Sequence, residues 1–121
     1  RQSNERGKKM SVDGVWKVEM MGPYGWEKIS TAFLKGGRIL GASADHYSTG
    51  SYEVDGETLS AAMEITQHGK VRAIFGAKKK HLSTQLEAKI KKENKIVGKS
   101  RPANGKKFEV KMRLTRLADL D

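Results

Sequence analysis

Residues 82–91 read Leu82-Ser83-Thr84-Gln85-Leu86-Glu87-Ala88-Lys89-Ile90-Lys91, with an apolar or threonine side chain at every second position and a polar one between. Successive side chains of a β-strand point to opposite faces of its sheet, so this pattern predicts a strand with one buried face. The same alternation occurs on either side, at residues 59–66 and at residues 107–114. No segment of useful length has the period of a helix, so the sequence predicts an all-β fold.

Short turn sequences separate the strands. The pairs Gly36-Gly37 and Asp55-Gly56 supply residues that accept the positive φ of two-residue hairpin turns. The segment 43–49 is expected to be irregular, with at most one helical turn. Strands are predicted at residues 16–20, 26–35, 39–42, 50–54, 59–66, 71–75, 82–91, 95–99 and 107–114.

These hairpins follow one another without a long crossover, so neighbours in sequence should be antiparallel neighbours in space. Two arrangements can bury all the apolar faces, a sandwich or an up-and-down barrel, and the barrel also removes exposed sheet edges. Because no Greek-key crossover is visible, the sequence favours a small closed antiparallel up-and-down β-barrel of eight to nine strands.

The interior of such a barrel is the first candidate site. Eight strands enclose a space that side chains can fill or that can hold one small ligand. The large Trp and Phe side chains favour a filled interior, whereas Ala61, Ala88 and the methionines favour space or plasticity. The side chains predicted to point inward are Trp16, Val18, Met20, Phe33, Met63, Ile65, Phe75, Leu86, Phe108, Val110 and Met112.

Length and composition bound the other possibilities. A chain of 121 residues has room for one domain, predicted at residues 13–117, with an N-terminal arm at 1–12 that is disordered or left by cloning, and a tail at 118–121. The absence of cysteine excludes disulfides, thiolate metal sites and cysteine nucleophiles. No apolar run approaches the roughly 20 residues of a membrane span, and no secretory signal is visible. We therefore expect no membrane insertion and a cytoplasmic location.

The positive charge is concentrated in the second half of the chain. Residues 1–66 carry eight Lys/Arg and nine Asp/Glu, whereas residues 67–121 carry sixteen and five. This asymmetry indicates either an anionic partner or a solubilising surface. Nucleic acid is not the favoured partner, because the only aromatic residues of the basic half, Phe75 and Phe108, are predicted to point inward and cannot stack on bases. The candidate anion-binding residues are Lys78, Lys79, Lys80, Lys91, Lys92, Lys95, Lys106 and Lys107.

The sequence contains no pattern typical of a catalytic or metal site. Asp45, His46 and Ser48 are residue types of a hydrolytic triad, but closeness in sequence is not triad geometry, and Asp and Ser favour turns. Neither His68 nor His81 has a second histidine at metal-ligand spacing. We expect no enzyme activity, no metal and no cofactor.

Four strings of this sequence together span residues 13 to 116. They are Asp13-Gly14-Val15-Trp16-Lys17-Val18-Glu19, Gly37-Arg38-Ile39-Leu40-Gly41, Gly50-Ser51-Tyr52-Glu53-Val54-Asp55-Gly56 and Phe108-Glu109-Val110-Lys111-Met112-Arg113-Leu114-Thr115-Arg116. These strings resemble the GrlR family of small bacterial regulators.

The resemblance implies a lipocalin-like, calycin-type barrel that forms a homodimer. It also implies repression of type III secretion genes through binding to a transcriptional activator, with an acidic hairpin tip after the fourth strand that recognises the partner. Only Asp55 and Glu57 keep the acidic character of that tip here. The first hypothesis is therefore a non-catalytic regulatory protein that binds another protein. The alternatives are a carrier of a small apolar ligand and a nucleic-acid-associated protein that uses the basic half.

Overall fold

The computed structural model describes residues 11–71, 73–74, 77–92, 94–104 and 109–120. These residues form ten β-strands and no helix. The strands are β1 Gly14–Gly22, β2 Gly25–Lys35, β3 Arg38–Ala42, β4 His46–Asp55, β5 Thr58–Gln67, β6 Ala73–Ile74, β7 Ala77–Lys78, β8 His81–Lys92, β9 Lys95–Pro102 and β10 Val110–Ala118.

Eight of these strands form a closed antiparallel barrel in the order β1-β10-β9-β8-β5-β4-β3-β2. Apart from the connection between β5 and β8, each strand pairs with its neighbour in sequence, and β1 closes the barrel on β10. The predicted all-β, up-and-down barrel is confirmed. The strand predicted at 71–75 is not part of it, because β6 and β7 form a separate two-stranded sheet. The segment 43–49 contains no helical turn, because β4 begins at His46.

The core lies inside the barrel, on the residues that the alternation assigns inward. Trp16 is fully buried, with Leu34, Leu59 and Ile96 as the other large apolar side chains that water does not reach. Burying a side chain of this size contributes about 1.5–3 kcal/mol relative to leaving it exposed. Among the described residues, the small hydroxyl side chains of Ser30, Ser48, Thr84 and Ser100 are also buried.

A β-bulge in β2 reverses the alternation that the sequence predicts. Val18 pairs with Ser30 and Glu19 pairs with Lys28, so Ile29 is an extra residue opposite β1. Ile29 packs against the core and Ser30 is buried as well. Beyond the bulge, Ala32 and Leu34 therefore point inward. The prediction that Phe33 points inward is wrong: Phe33 is 39% exposed.

Arg116 of β10 joins the seam between β1 and β10 to the segment that precedes β1. The Arg116 guanidinium lies over the Trp16 ring, 4.7 Å from its centroid. Its Nη1 donates to the Asp13 carbonyl at 2.6 Å and its Nη2 to the Ser11 carbonyl at 2.8 Å. Trp16 Nε1 donates to the Val12 carbonyl at 3.0 Å, and Val12 is buried. Residues 11–12 therefore pack on the barrel, although the sequence placed them in the N-terminal arm, and β10 extends to Ala118.

Candidate binding surfaces

The structure places most of the predicted inward residues inside the barrel. Trp16, Val18 and Leu86 are buried, and Met63 and Met112 pack half-buried against the core. Phe75 and Phe108 lie outside the described residues, and Phe33 is on the outer surface. The remaining three, Met20, Ile65 and Val110, are half-buried. A ligand site in the interior stays a prediction.

The predicted basic residues divide into two groups. Lys78, Lys79 and Lys80 precede β8, whereas Lys91 and Lys92 end it and Lys95 begins β9. A strand rises about 3.3 Å per residue, so the 12-residue β8 separates the two groups by roughly 35 Å. They do not form one patch, and Lys106 and Lys107 lie outside the described residues.

A set of cations that includes two of these residues, Lys91 and Lys95, does share one surface, which we call the basic face. Its residues alternate with buried ones along three adjacent strands, so their side chains point outward. Lys111 pairs with Lys99, and Arg113 pairs with Val97, which pairs with Lys89. The basic face consists of Lys89 and Lys91 on β8, Lys95, Lys99 and Arg101 on β9, and Lys111 and Arg113 on β10.

An open groove of about 270 Å³ crosses the basic face. Lys89, Lys99 and Arg101 contribute to its walls, together with Val97 and the backbone at Gly98. Two carboxylates, those of Glu87 and Glu109, also line the groove. The ion pairs of Glu109 are long and exposed, at 3.7 Å to Lys99 Nζ and 4.0 Å to Arg101 Nη1. Contacts of this kind contribute little stability, so an anionic ligand can replace them.

An aromatic residue lies at the edge of the basic face. The Arg113 guanidinium stacks over the Trp26 ring at 4.4 Å from its centroid. Arg113 Nε also donates to Glu19 Oε1 at 2.7 Å. This hydrogen bond lowers the pKa of the Glu19 carboxyl, and the positive charges of Arg113, Lys17 and Lys95 lower it further against the opposing effect of burial. Glu19 stays ionised and fixes Arg113 against Trp26.

The β1–β2 turn carries the most exposed of the large apolar side chains. Its two loop residues, between the paired Gly22 and Gly25, are Pro23 and Tyr24. Tyr24 is 97% exposed. A two-residue hairpin loop holds its side chains away from the sheet, so this ring is available to a ligand.

A second surface is apolar and runs across four adjacent strands. Val15 on β1 pairs with Phe33 on β2, and Phe33 pairs with Leu40 on β3. On the other side, Val15 pairs with Ala118, next to the bulged residue Leu117 of β10. Leu40 is 48% and Leu117 54% exposed. We call Leu117, Val15, Phe33 and Leu40 the apolar stripe.

The predicted hairpin tip lies at the β4–β5 turn. Asp55 pairs with Thr58 and Gly56 has a φ of 64°, as such a turn requires. Asp55 and Glu57 are exposed. The Glu57 carbonyl accepts a hydrogen bond from the Ile90 N–H at 2.8 Å, which holds the turn against β8. Lys89 lies next to this turn and donates to Thr58 Oγ1 at 3.0 Å.

The histidine-containing turns have structural roles. Ser43 Oγ lies 2.8 Å from His46 Nδ1, and the Asp45 carbonyl accepts hydrogen bonds from the N–H groups of His68 and Gly69. Ser48 is buried inside the barrel. Asp45 therefore joins two turns at one end of the barrel. Among the described residues, no group of three or more His, Cys, Asp or Glu could hold a metal ion, and no helix is long and apolar enough to cross a membrane.

Comparison with models of known protein families finds no match, and comparison with curated proteins finds none either. The resemblance to the GrlR family stays a prediction.

The sequence alone indicates neither the apolar stripe nor the group formed by Trp26, Arg113 and Glu19, which we call the Trp26 cluster. The stripe depends on the β2 bulge, for which the sequence carries no clear signal. The Trp26 cluster depends on β1 closing on β10, which brings Arg113 next to residues about ninety positions earlier. The exposure of Tyr24 could have been predicted from the sequence, because Pro23-Tyr24 between two glycines is typical of a tight turn.

Proposed function

We propose that this chain is a non-catalytic regulatory protein that acts by binding another protein with the outer surface of its barrel. The apolar stripe supports this proposal. Scattered apolar residues are normal on protein surfaces, whereas a contiguous row of them is typical of an interaction site. Here the row joins four neighbouring strands of a rigid sheet, which suits a stable docking surface.

The charges beside the stripe indicate the chemistry of the partner. Lys35 and Arg38, a directly opposed pair, flank the stripe on one side, and Lys17 flanks it on the other. A partner with apolar side chains bordered by acidic groups would match this arrangement. The resemblance to GrlR-type regulators adds a transcription regulator as the expected kind of partner, with Asp55 and Glu57 as a second contact.

Site-specific crosslinking tests the proposal. A photo-reactive side chain at position 40 should crosslink to a specific protein in cells, and the same side chain at exposed position 21, about 20 Å along β1 from Val15, should not. The double variant Phe33→Ser/Leu40→Ser should reduce affinity for the identified partner about 5- to 30-fold, since each buried apolar contact contributes on the order of 1 kcal/mol. Met21→Ser is the matched control, because Met21 is nearly as exposed as Phe33. Equal crosslinking at positions 40 and 21, or unchanged affinity in the double variant, would refute the role of the stripe.

Sedimentation measurements separate partner binding from the homodimer that the resemblance implies. If the dimer persists in the Phe33→Ser/Leu40→Ser variant, the stripe is not the dimer interface and is available to the partner. Loss of the dimer would assign the stripe to self-association instead. In the same experiments, Asp55→Ala/Glu57→Ala should weaken partner capture without unfolding the domain if the tip is a contact.

A further inference from the structure

We propose that the outer surface running from the β1–β2 turn across the basic face binds single-stranded nucleic acid. In this proposal Tyr24 and Trp26 stack on bases, and Lys111, Lys99 and Lys89 neutralise phosphates. The site is separate from the apolar stripe and does not depend on the function proposed above.

Barrel closure places an aromatic residue of the first half of the chain beside the cations of the basic half. Because β1 pairs with both β2 and β10, Trp26 of the first half lies against Arg113 of the second. Surfaces that bind single strands combine a positive track with aromatic rings on which bases stack. Both components are present together only in the folded barrel.

The two aromatic residues are presented in different ways. Trp26 is half-buried, and one face of its ring is held by Arg113, which Glu19 fixes in turn. Tyr24 is almost fully exposed at the tip of a two-residue loop. The Tyr24 ring is too exposed to contribute to the core, but it is well placed to stack on a base.

The cations continue from Trp26 along one path. Arg113 and Lys111 are two residues apart on the same face of β10, about 7 Å along the strand. Lys111 pairs with Lys99, and Lys99 lines the groove together with Lys89. Val97 in the groove offers an apolar contact for a base or sugar. A flexible polyanion can follow this path along the surface.

Other anionic partners fit less well. A membrane surface favours aromatic residues surrounded by apolar ones; Met21 pairs with Trp26, but the ion pair of Glu19 with Arg113 also lies beside Trp26. An acidic peptide would use the lysines without requiring exposed rings. The combination of planar side chains with a row of cations favours bases joined by phosphates.

Titration of the full chain with a fluorescein-labelled oligothymidylate of about 12 nucleotides tests the proposal. Binding should weaken with salt, with a log–log slope near −2, because about three phosphates contribute about −0.7 each. Tyr24→Ala should weaken binding about fivefold. Because Tyr24 is almost fully exposed, this variant should fold like the unmodified protein. Binding should also quench tryptophan emission, and the quenching should disappear in Trp26→Phe, because Trp16 is inaccessible.

Matched variants distinguish binding at this site from a general effect of the protein's net charge. Lys99→Glu/Lys111→Glu should weaken binding at least tenfold, whereas Lys79→Glu/Lys80→Glu, with the same change in charge elsewhere, should not. Tyr47→Ala, an exposed tyrosine on β4, should keep the affinity of the unmodified protein. The proposal is overturned by absence of oligothymidylate binding or by equal weakening in both lysine pairs. Tyr24-dependent binding to phosphatidylserine vesicles without binding to the oligonucleotide would overturn it in favour of a membrane surface.

Discussion

Arg116 joins β10 to the start of β1, where the barrel closes. Its planar guanidinium covers the Trp16 ring and donates to two backbone carbonyls of the segment that enters β1. Arginine suits this position because one planar group can stack and donate in several directions at once. A lysine would keep the charge but would lose the stacking and part of the hydrogen bonding.

Arg116→Lys should therefore lower the free energy of unfolding by about 2 kcal/mol, since hydrogen bonds from charged groups contribute about 1.5–3 kcal/mol. Urea unfolding measures the change. Arg38→Lys, at an exposed position of the β2–β3 turn, is the control and should have almost no effect. Equal stability of the two variants would show that the guanidinium does not hold the seam.

Glu19 gives the barrel a component of stability that depends on pH. Because Arg113 lowers the folded-state pKa of Glu19, the ion pair stabilises the fold above the ordinary glutamate pKa of about 4.3. This stabilisation is lost as the pH falls through the lowered folded-state pKa. Glu19→Gln should thus show a smaller loss of unfolding free energy between neutral pH and pH of about 3 than the unmodified protein. Arg113→Gln should flatten the profile in the same way; an unaltered profile in Glu19→Gln would contradict this origin.

At the scale of single elements, β2 shows where pattern reading fails. Along β8 every second residue is buried from Thr84 to Ile90, as the alternation predicts. In β2 one extra residue at Ile29 shifts the phase, so the apolar Phe33 changes sides while the next residue, Leu34, becomes fully buried. Alternation gives the phase of a strand only where the ladder is uninterrupted.

Adjacent substitutions in β2 test this phase. Leu34→Ala should cost about 2–5 kcal/mol of unfolding free energy, because it leaves a cavity in the core. Phe33→Ala, which removes a larger side chain, should cost less than about 1 kcal/mol, because it lies outside. Urea denaturation of the two variants gives the comparison. The reverse order of stability would mean that Phe33 packs inward.

At the scale of the whole molecule, the sequence predicts the architecture better than the surfaces. Periodicity and turn chemistry are local properties, so the strands and their meander follow from short stretches. Surface composition depends on which distant strands become neighbours. Residues 15, 33, 40 and 117 form one stripe, and Trp26 meets Arg113, only after closure. The separation of Lys78–Lys80 from Lys91 follows from strand length and was predictable.

The pairing of β1 with β10 also has a consequence for synthesis on the ribosome. Trp16 emerges early, but the arginine that covers it follows a hundred residues later. Until β10 leaves the exit tunnel, β1 keeps one open edge and the incomplete sheet exposes apolar residues to water. Loop-closure entropy makes such long-range pairing slow. The nascent chain is therefore most vulnerable to aggregation before β10 can pair with β1, when a chaperone would be of most use.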